Sequence, residues 1–240
     1  MLLLVGAVFF VAGIVKGVSG MGLPTLSMAL LGLVMPPATA AALMVLPSLV
    51  TNLAQCLGPH WRTLVRRLWP MWLGVAALAL ASPLPDLHAS GGGARIAMGV
   101  VLVTYGLWGL ARPSLPDLAR FSAAWGALAG AVSGALTAAT GVFVMPLVPY
   151  LQALRLGKAE LVQALGLSFT VATLALAGRL GYSAAATTAA MANGVAMVAA
   201  MAGLWMGAKL LRRLPPATFQ RMLYCVFLLL GTVMVGRASA

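Results

Sequence analysis

Long apolar stretches alternate along the chain with short links that hold most of its charges, prolines and polar residues. This pattern predicts ten helical segments, at 2–20, 22–34, 38–57, 66–82, 92–111, 122–140, 142–153, 160–178, 185–208 and 218–236. None of them shows the period-two alternation of a membrane β-strand. The segments at 22–34 and 142–153 hold about a dozen residues, roughly 20 Å of helix against a hydrocarbon core of about 30 Å. We therefore expect an all-α polytopic membrane protein with about eight full spans and two short broken or re-entrant segments.

Composition agrees with this pattern. Of the 240 residues, 62% are hydrophobic and 8% are charged, and the mean hydropathy is +1.03, which excludes an ordinary soluble domain. The net charge is +12, but most of the basic residues lie in short links rather than on a basic face with stacking aromatics. This distribution argues against nucleic-acid binding. The first fifteen residues resemble a signal-peptide core but lack a preceding basic region, so we expect a retained helix. One transmembrane domain over 1–240 follows, with the lipid bilayer as its surroundings.

The basic residues favour one orientation. Eleven of the fifteen follow the third, fifth, seventh and ninth segments: Arg62, Arg66, Arg67, Arg112, Arg120, Arg155, Lys158, Lys209, Arg212, Arg213 and Arg221. Cytoplasmic loops carry the positive excess, so these links are predicted inside, with Arg95, Arg179 and Arg237 outside. The link at 34–38 then faces outward and the link at 153–159 faces inward. This predicts two inverted halves, 1–112 and 121–240, in the cytoplasmic membrane with both termini outside.

The two halves also share short sequence patterns. "KGVSG" at 16–20 matches "GAVSG" at 130–134, Pro24 matches Pro146, and 38–51 aligns with 159–172. This alignment leaves about eight extra residues in the second half, before its proline. Inverted repeats with short, Gly/Pro-broken segments are typical of secondary transporters, whose substrate site lies at the repeat interface near the membrane midplane.

Lys16 stands in an otherwise apolar segment, where a central lysine costs about 2.5–3.5 kcal/mol. Either its stem reaches the cytoplasmic headgroups, or it borders a hydrated cavity and attracts an anion. Nearby glycines, hydroxyls and a helix that restarts at Pro24 favour an oxyanion site, because helix N-termini attract anions. We expect substrate-binding residues from both halves: Lys16, Gly17, Ser19, Gly20, Gly22, Thr25, Ser133, Gly134, Thr137, Thr140 and Gly141, with further contributions from Ser48, Asn52, Gln163 and Ser168. Each glycine also has a packing interpretation.

Residues for catalysis or metal binding are sparse. The three acids Asp86, Asp117 and Glu160 fall in links or at segment ends, and Cys56 and Cys225 lack metal or redox spacing. An isolated His60 and the "DLH" at 86–88 do not form a catalytic cluster. We therefore expect no enzyme, no catalytic residue, no metal and no cofactor. A membrane-embedded enzyme and an anion channel remain alternatives, which a bound metal or unit conductances would favour, respectively.

Two stretches are similar to a known family. "GIVKGVSGMGLPTLSMALLGL" with the following "PPATAAALMVLPSLVTN", and "GALAGAVSGALTAATGVFVMPLVPYLQALRLGKAELVQALGLSFT", resemble the sulfite exporter TauE/SafE family. The resemblance implies a cytoplasmic-membrane permease for sulfite, sulfoacetate and related sulfur-containing or organic anions. The first half departs from the family pattern, since only Gly20 and Gly22 stand where members often have a run of two or three glycines. We expect a small-anion permease and leave its exact substrate, direction, coupling ion and oligomeric state open.

Overall fold

The structure is a computed structural model that describes residues 1–84, 87, 92–111, 122–181, 190–210 and 216–239. Within these ranges the chain forms ten helices and no strand: α1 Leu2–Ser19, α2 Leu23–Gly32, α3 Pro37–Cys56, α4 Trp61–Ala81, α5 Gly93–Ala111, α6 Ser122–Thr140, α7 Leu147–Ala153, α8 Lys158–Arg179, α9 Ala190–Leu210 and α10 Pro216–Ser239. Eight of them are long and apolar enough to cross a membrane. The remaining two, α2 and α7, have 10 and 7 residues. The predicted fold class is confirmed.

Glycine and proline set the break between α1 and α2. Gly20 ends α1 in the left-handed conformation with φ 77°, and Gly22 precedes α2 with φ 103°. Side chains with a Cβ rarely adopt such angles. Pro24 lies in the first turn of α2, where a backbone N–H has no intrahelical acceptor in any case. The break predicted between 20 and 22 is therefore present.

Two predicted helix starts are wrong. The fourth segment begins at Trp61 rather than 66, because Leu64 and Leu68 are buried while Arg62 and Arg66 are exposed on the same helical turns. The charges that interrupt the apolar run in sequence thus lie on the outer face of one continuous helix. The seventh segment begins at 147 rather than 142, since Pro146 precedes its first turn. The predicted start of the ninth segment at 185 lies outside the described residues, as do Arg112, Arg120, Arg212 and Arg213.

The two halves of the chain are interleaved. Helix α1 packs along α9, and α4 packs along α6. A methyl group on Gly13 would overlap the carbonyl oxygen of Ala200, and one on Gly130 would overlap that of Met71. Helix backbones touch at these crossings, which is how small residues let membrane helices associate. Each pair therefore joins the first helix of one half to the fourth helix of the other.

Exchanging the two halves leaves the main packing pattern unchanged. The exchange turns the α1–α9 pair into the α6–α4 pair, and it turns the α4–α8 contact into the α9–α3 contact. The α3–α8 and α5–α10 pairs map onto themselves, and all of these contacts are present. This is the packing expected of two related halves, and it supports the inverted repeat, which remains a prediction.

The ends of α1 and α6 have the same hydrogen-bond pattern. Ser19 Oγ lies 2.8 Å from the carbonyl oxygen four residues earlier and accepts the amide two residues later at 3.3 Å. Thr140 Oγ1 makes the corresponding contacts at 2.6 and 3.1 Å, and both helices end at a left-handed glycine, Gly20 or Gly141. By these contacts Thr140 corresponds to Ser19, whereas the sequence alignment pairs Ser19 with Ser133, whose Oγ has no hydrogen-bond partner. An alignment that pairs Ser19 with Thr140 also pairs the start of α3 with the start of α8. It therefore requires no insertion of eight residues in the second half.

The links after α2 and α7 lie toward opposite ends of the bundle. Met35, in the first link, accepts a hydrogen bond from Arg95 at the start of α5, at 3.5 Å. Leu154, in the second link, accepts one from Arg67 near the start of α4, at 3.5 Å. Consecutive spanning helices run in opposite directions, so the starts of α4 and α5 are at opposite ends. This arrangement supports the opposite locations predicted for the two links.

Single cysteines test those locations. In a chain with Cys56 and Cys225 replaced by alanine, P36C should react with a membrane-impermeant maleimide added to intact cells or spheroplasts. G157C should react only after permeabilisation, because its link is predicted inside. Both positions are exposed. Labelling of both from the same side would contradict the inverted arrangement.

Substitution at a helix crossing tests the packing. Gly203→Leu places a side chain against the backbone of Phe10 on α1 and should lower the free energy of unfolding by about 1–3 kcal/mol or more, the usual cost of overpacking. Gly194→Leu on the same helix is the matched control, because nothing lies within 4 Å of a Cβ there. Thermal melting in detergent measures both. Equal melting temperatures would show that the α1–α9 contact is not tight.

Candidate anion site around Lys16

Lys16 lies in the last turn of α1 and points into the bundle. Its side chain is 1% exposed, and among the described residues it is the one buried charged side chain. Its Nζ donates hydrogen bonds to Thr51 Oγ1, at 3.1 Å, and to Asn52 Oδ1, both on α3. The structure therefore contradicts the interpretation in which the stem reaches the headgroups.

The partners of Lys16 belong to a polar stripe on α3. Ser48, Thr51, Asn52 and Gln55 are spaced three or four residues apart, which places them on one face of the helix. The first three are completely buried. Thr51 Oγ1 also donates to a backbone carbonyl one turn earlier, at 2.7 Å, which leaves its lone pair for the ammonium. The predicted site omits Thr51 and Gln55, although their spacing from Ser48 in the sequence indicates a shared helix face.

Several polar atoms of this region have no hydrogen-bond partner. Asn52 Nδ2, Ser48 Oγ and Gln55 Oε1 are buried and unpaired. An ammonium has three N–H donors, and two of those on Lys16 are used within the described part of the chain. Neither described partner is a carboxylate. A buried cation beside a free amide donor is an arrangement that an anion completes, since buried donors are otherwise satisfied.

The break between α1 and α2 lies next to this stripe. Gln55 Nε2 donates to the carbonyl oxygen of Gly20 at 2.8 Å, which ties α3 to the end of α1. Ser19 is occupied by the helix-end contacts described above. Thr25, in the first turn of α2, is completely buried and its Oγ1 is unpaired. The start of α2, with its unpaired amide groups and positive dipole end, follows Gly20 by three residues in the chain.

Three of the predicted site glycines pack against protein atoms. A Cβ on Gly17 would overlap the backbone of Leu204 on α9, and one on Gly134 would overlap that of Val75 on α4. At Gly22 a Cβ would lie 2.8 Å from a methyl carbon of Val15. The structure accounts for these three positions by helix packing, the alternative that the sequence left open.

The predicted residues of the second half form a separate group around the end of α6. Ser133, Thr137 and Thr140 are completely buried. Thr137 Oγ1 donates to the Ser133 carbonyl at 2.6 Å, while Ser133 Oγ is unpaired. Gly141 has φ 69° and packs against Met28 of α2. Among the described contacts, none of these hydroxyls hydrogen-bonds to Lys16 or its partners, while Gly141 contacts α2 through Met28.

Gln163 and Ser168 make contacts between helices. Gln163 Nε2 donates to the carbonyls of Cys56 and Gly58 at 2.9 and 3.0 Å, and its Oε1 accepts the amide of His60 at 3.1 Å. Ser168 Oγ accepts the indole N–H of Trp72 at 2.9 Å. Gln163 thus fixes the α3–α4 link and Ser168 joins α8 to α4.

We also searched the described ranges for a metal-binding cluster. They contain no cluster of three or more His, Cys, Asp or Glu side chains able to hold a metal ion. The "DLH" stretch at 86–88 lies largely outside those ranges, with Asp86 and His88 not described, and Asp117 is not described either.

Eight apolar spans, two short helices that begin at a glycine or proline break, and a buried cation with only neutral partners among the described contacts are features of a membrane transporter. The chain matches the model of the family described as Sulfite exporter TauE/SafE over residues 5–234. It therefore belongs to that family, as the resemblance implied. Neither a curated protein nor a solved structure matches the chain.

Changes at Asn52 test the role of this side chain as the partner of Lys16. Asn52→Asp keeps the accepting oxygen and adds a negative charge, so the melting temperature in detergent should stay the same or rise. Asn52→Leu removes the acceptor and should cost about 1–3 kcal/mol, because a buried donor loses its partner. A leucine variant as stable as the parent would show that the Lys16–Asn52 hydrogen bond is not formed.

Proposed function

We propose that this protein is a permease that moves small oxyanions, sulfite and organosulfonates foremost, across the cytoplasmic membrane, and that it binds them beside Lys16. The observation that carries the proposal is the buried ammonium, which has two neutral partners and a free amide donor beside it. Membership in the sulfite exporter family supports the choice of sulfur oxyanions. Small neutral or cationic solutes would gain nothing from an unpaired positive charge.

The substrate-binding residues of this proposal come from the first half of the chain and lie on α1, α2 and α3. Lys16 supplies charge, Asn52 supplies an N–H donor, and Thr25 and Ser48 supply unpaired hydroxyls. The group around Ser133 and α6 is the corresponding region of the second half. It has no described contact with Lys16, and it contributes only if α2 positions an anion between the two groups.

The proposal assigns no step to a carboxylate. Glu160, the one acid among the described residues, lies half-buried at the start of α8, at an end of the bundle. A negative interior favours anion exit by about 2.3 kcal/mol per charge for each 100 mV. We propose that the membrane potential and the gradient of the substrate drive export.

The tight pairs α1–α9 and α4–α6 suggest how access alternates. Each pair has backbone contact along its crossing, so each is expected to move as a unit. Lys16 lies on α1 and therefore belongs to the first pair. Rocking of the two units about the α3–α8 contact would open the site to each side in turn, as in other inverted-repeat transporters.

Replacing Lys16 tests the proposal. In proteoliposomes that contain the purified chain, Lys16→Met should reduce uptake of labelled sulfite at limiting concentration by at least tenfold, because the attraction for the anion is lost. Lys158→Met is the matched control: Lys158 is exposed at the start of α8, and its variant should transport like the parent.

Three outcomes would contradict the proposal. Undiminished sulfite uptake by Lys16→Met would remove this residue from the mechanism. No uptake of any small oxyanion by the parent chain would refute the permease. Unit conductances in a planar bilayer, without countertransport of labelled substrate, would favour the anion channel instead.

A further inference from the structure

We propose that the first two turns of α4 bind an anionic phospholipid on the outer face of the bundle. Arg62 and Arg66 hold its phosphate, and Trp61 and Trp69 pack against its glycerol and upper acyl chains. The ligand class is a diacyl lipid with a phosphodiester and a net negative headgroup, such as phosphatidylglycerol. The inference requires that the chain spans a membrane, and it does not rest on anion transport.

The face of α4 that carries these four residues is turned away from the rest of the bundle. Trp61 and Trp69 are 50% and 54% exposed, and Arg62 and Arg66 are exposed as well. Residues 62 and 66 are one turn apart and residues 61 and 69 are two turns apart, so all four lie on one side of the helix. In a membrane this side faces lipid.

The two arginines lie where α4 enters the bilayer. The helix has 21 residues, about the length that crosses the hydrocarbon core. Arg66 is therefore near one edge of that core, about 7.5 Å along the helix from Trp61. Acyl chains offer no acceptor to a guanidinium, and long basic side chains near helix ends reach for the headgroups instead. The acceptor available at this depth is a lipid phosphate.

The guanidinium of Arg62 is already positioned for a phosphate. Its Cζ lies over the ring of Trp61, 5.2 Å from the centroid. A guanidinium that stacks on an aromatic face keeps the N–H donors of its edge available, and it binds phosphate through two parallel hydrogen bonds. A zwitterionic lipid also has a phosphate, but its ammonium would be repelled by the arginine pair. The pair therefore favours a headgroup without an ammonium.

A second pair of a cation and an aromatic ring supports the assignment of a membrane interface. Lys209 Nζ lies 3.4 Å from the centroid of the Trp205 ring, near the end of α9. Both side chains are exposed. Tryptophan is enriched at membrane–water interfaces, where its ring sits at the level of the headgroups.

Described contacts place this second pair at the same end of the bundle as the start of α4. Gly6, Gly13 and Gly17 of α1 meet successively later residues of α9, so the two helices run in the same direction and end together. Gln55, near the end of α3, donates to the carbonyl of Gly20 at the end of α1, and a short link leads from α3 to α4. This end is the one predicted to face the cytoplasm, where anionic lipids attract basic residues.

Native mass spectrometry of lipid adducts tests the site. The purified full chain in a neutral detergent is mixed with equal amounts of dioleoyl phosphatidylglycerol and dioleoyl phosphatidylethanolamine. The parent chain should bind the phosphatidylglycerol in preference. In the double variant R62Q/R66Q this preference should fall by at least about fivefold, because a basic residue near an anionic headgroup contributes about that factor.

Arg237→Gln is the matched control, with the same change of charge. Arg237 is exposed in the last turn of α10, and α10 ends beside the start of α5, at the opposite end of the bundle. Its variant should keep the preference of the parent. R62Q/R66Q should melt like the parent in lipid-free detergent, since both side chains are exposed. If it melts earlier, Arg66→Gln alone applies the same test and leaves the contact between Arg62 and Trp61 in place.

Four outcomes would overturn the inference. The first is equal binding of the two lipids by the parent chain, and the second is an unchanged preference in R62Q/R66Q. An equal loss of preference in Arg237→Gln would show that lipid binding follows net charge rather than this face. A parent that is dimeric and an R62Q/R66Q variant that is monomeric, without lipid preference in either, would assign the face to a second copy of the chain. None of these measurements involves transport, so each outcome leaves the proposed permease untouched.

Discussion

The buried ammonium of Lys16 is the constraint on which the rest of this structure depends. A buried ion costs several kcal/mol even after relaxation of its surroundings, and here the charge faces only neutral groups, Thr51 and Asn52, among the described contacts. Two hydrogen bonds satisfy donors but do not compensate a charge. The chain retains this cost at a point where three helices meet, next to the break between α1 and α2. An anion that binds there would supply the missing charge, which connects the energetic cost to the function.

The scaffold around this charge is built from backbone contacts. Glycines at the α1–α9 and α4–α6 crossings bring helix axes together, and each crossing joins the two halves of the chain. Lys16 therefore lies on a helix that packs closely against α9, and we expect the two helices to move together. The predicted repeat divides the chain into two halves, but each tightly packed pair combines one helix from each half. This follows from the packing and would not follow from the repeat alone.

Local chemistry made most of the fold predictable from the sequence. The breaks at Gly20 and Pro24 follow from backbone angles and a missing N–H, which depend on single residues. The burial of Lys16 beside α3 is harder to predict from the sequence. Whether its ammonium reaches the lipid headgroups or a polar partner inside the bundle depends on which helix packs against α1. Sequence spacing could have suggested Thr51 and Gln55. Sequence spacing could not show that the side-chain amide of Gln163 hydrogen-bonds to the link between α3 and α4, because this contact joins segments that are distant in sequence.

The most direct test is to observe the Lys16 ammonium itself. The chain has three lysines, Lys16, Lys158 and Lys209, so nitrogen-15 labelling of lysine side chains gives three NMR signals, which single substitutions assign. On titration with methanesulfonate, the account predicts a saturable shift of the Lys16 signal while the exposed Lys158 signal follows bulk ionic strength only. If methanesulfonate is transported and the Lys16 signal does not move, the anion binds elsewhere and the account is wrong.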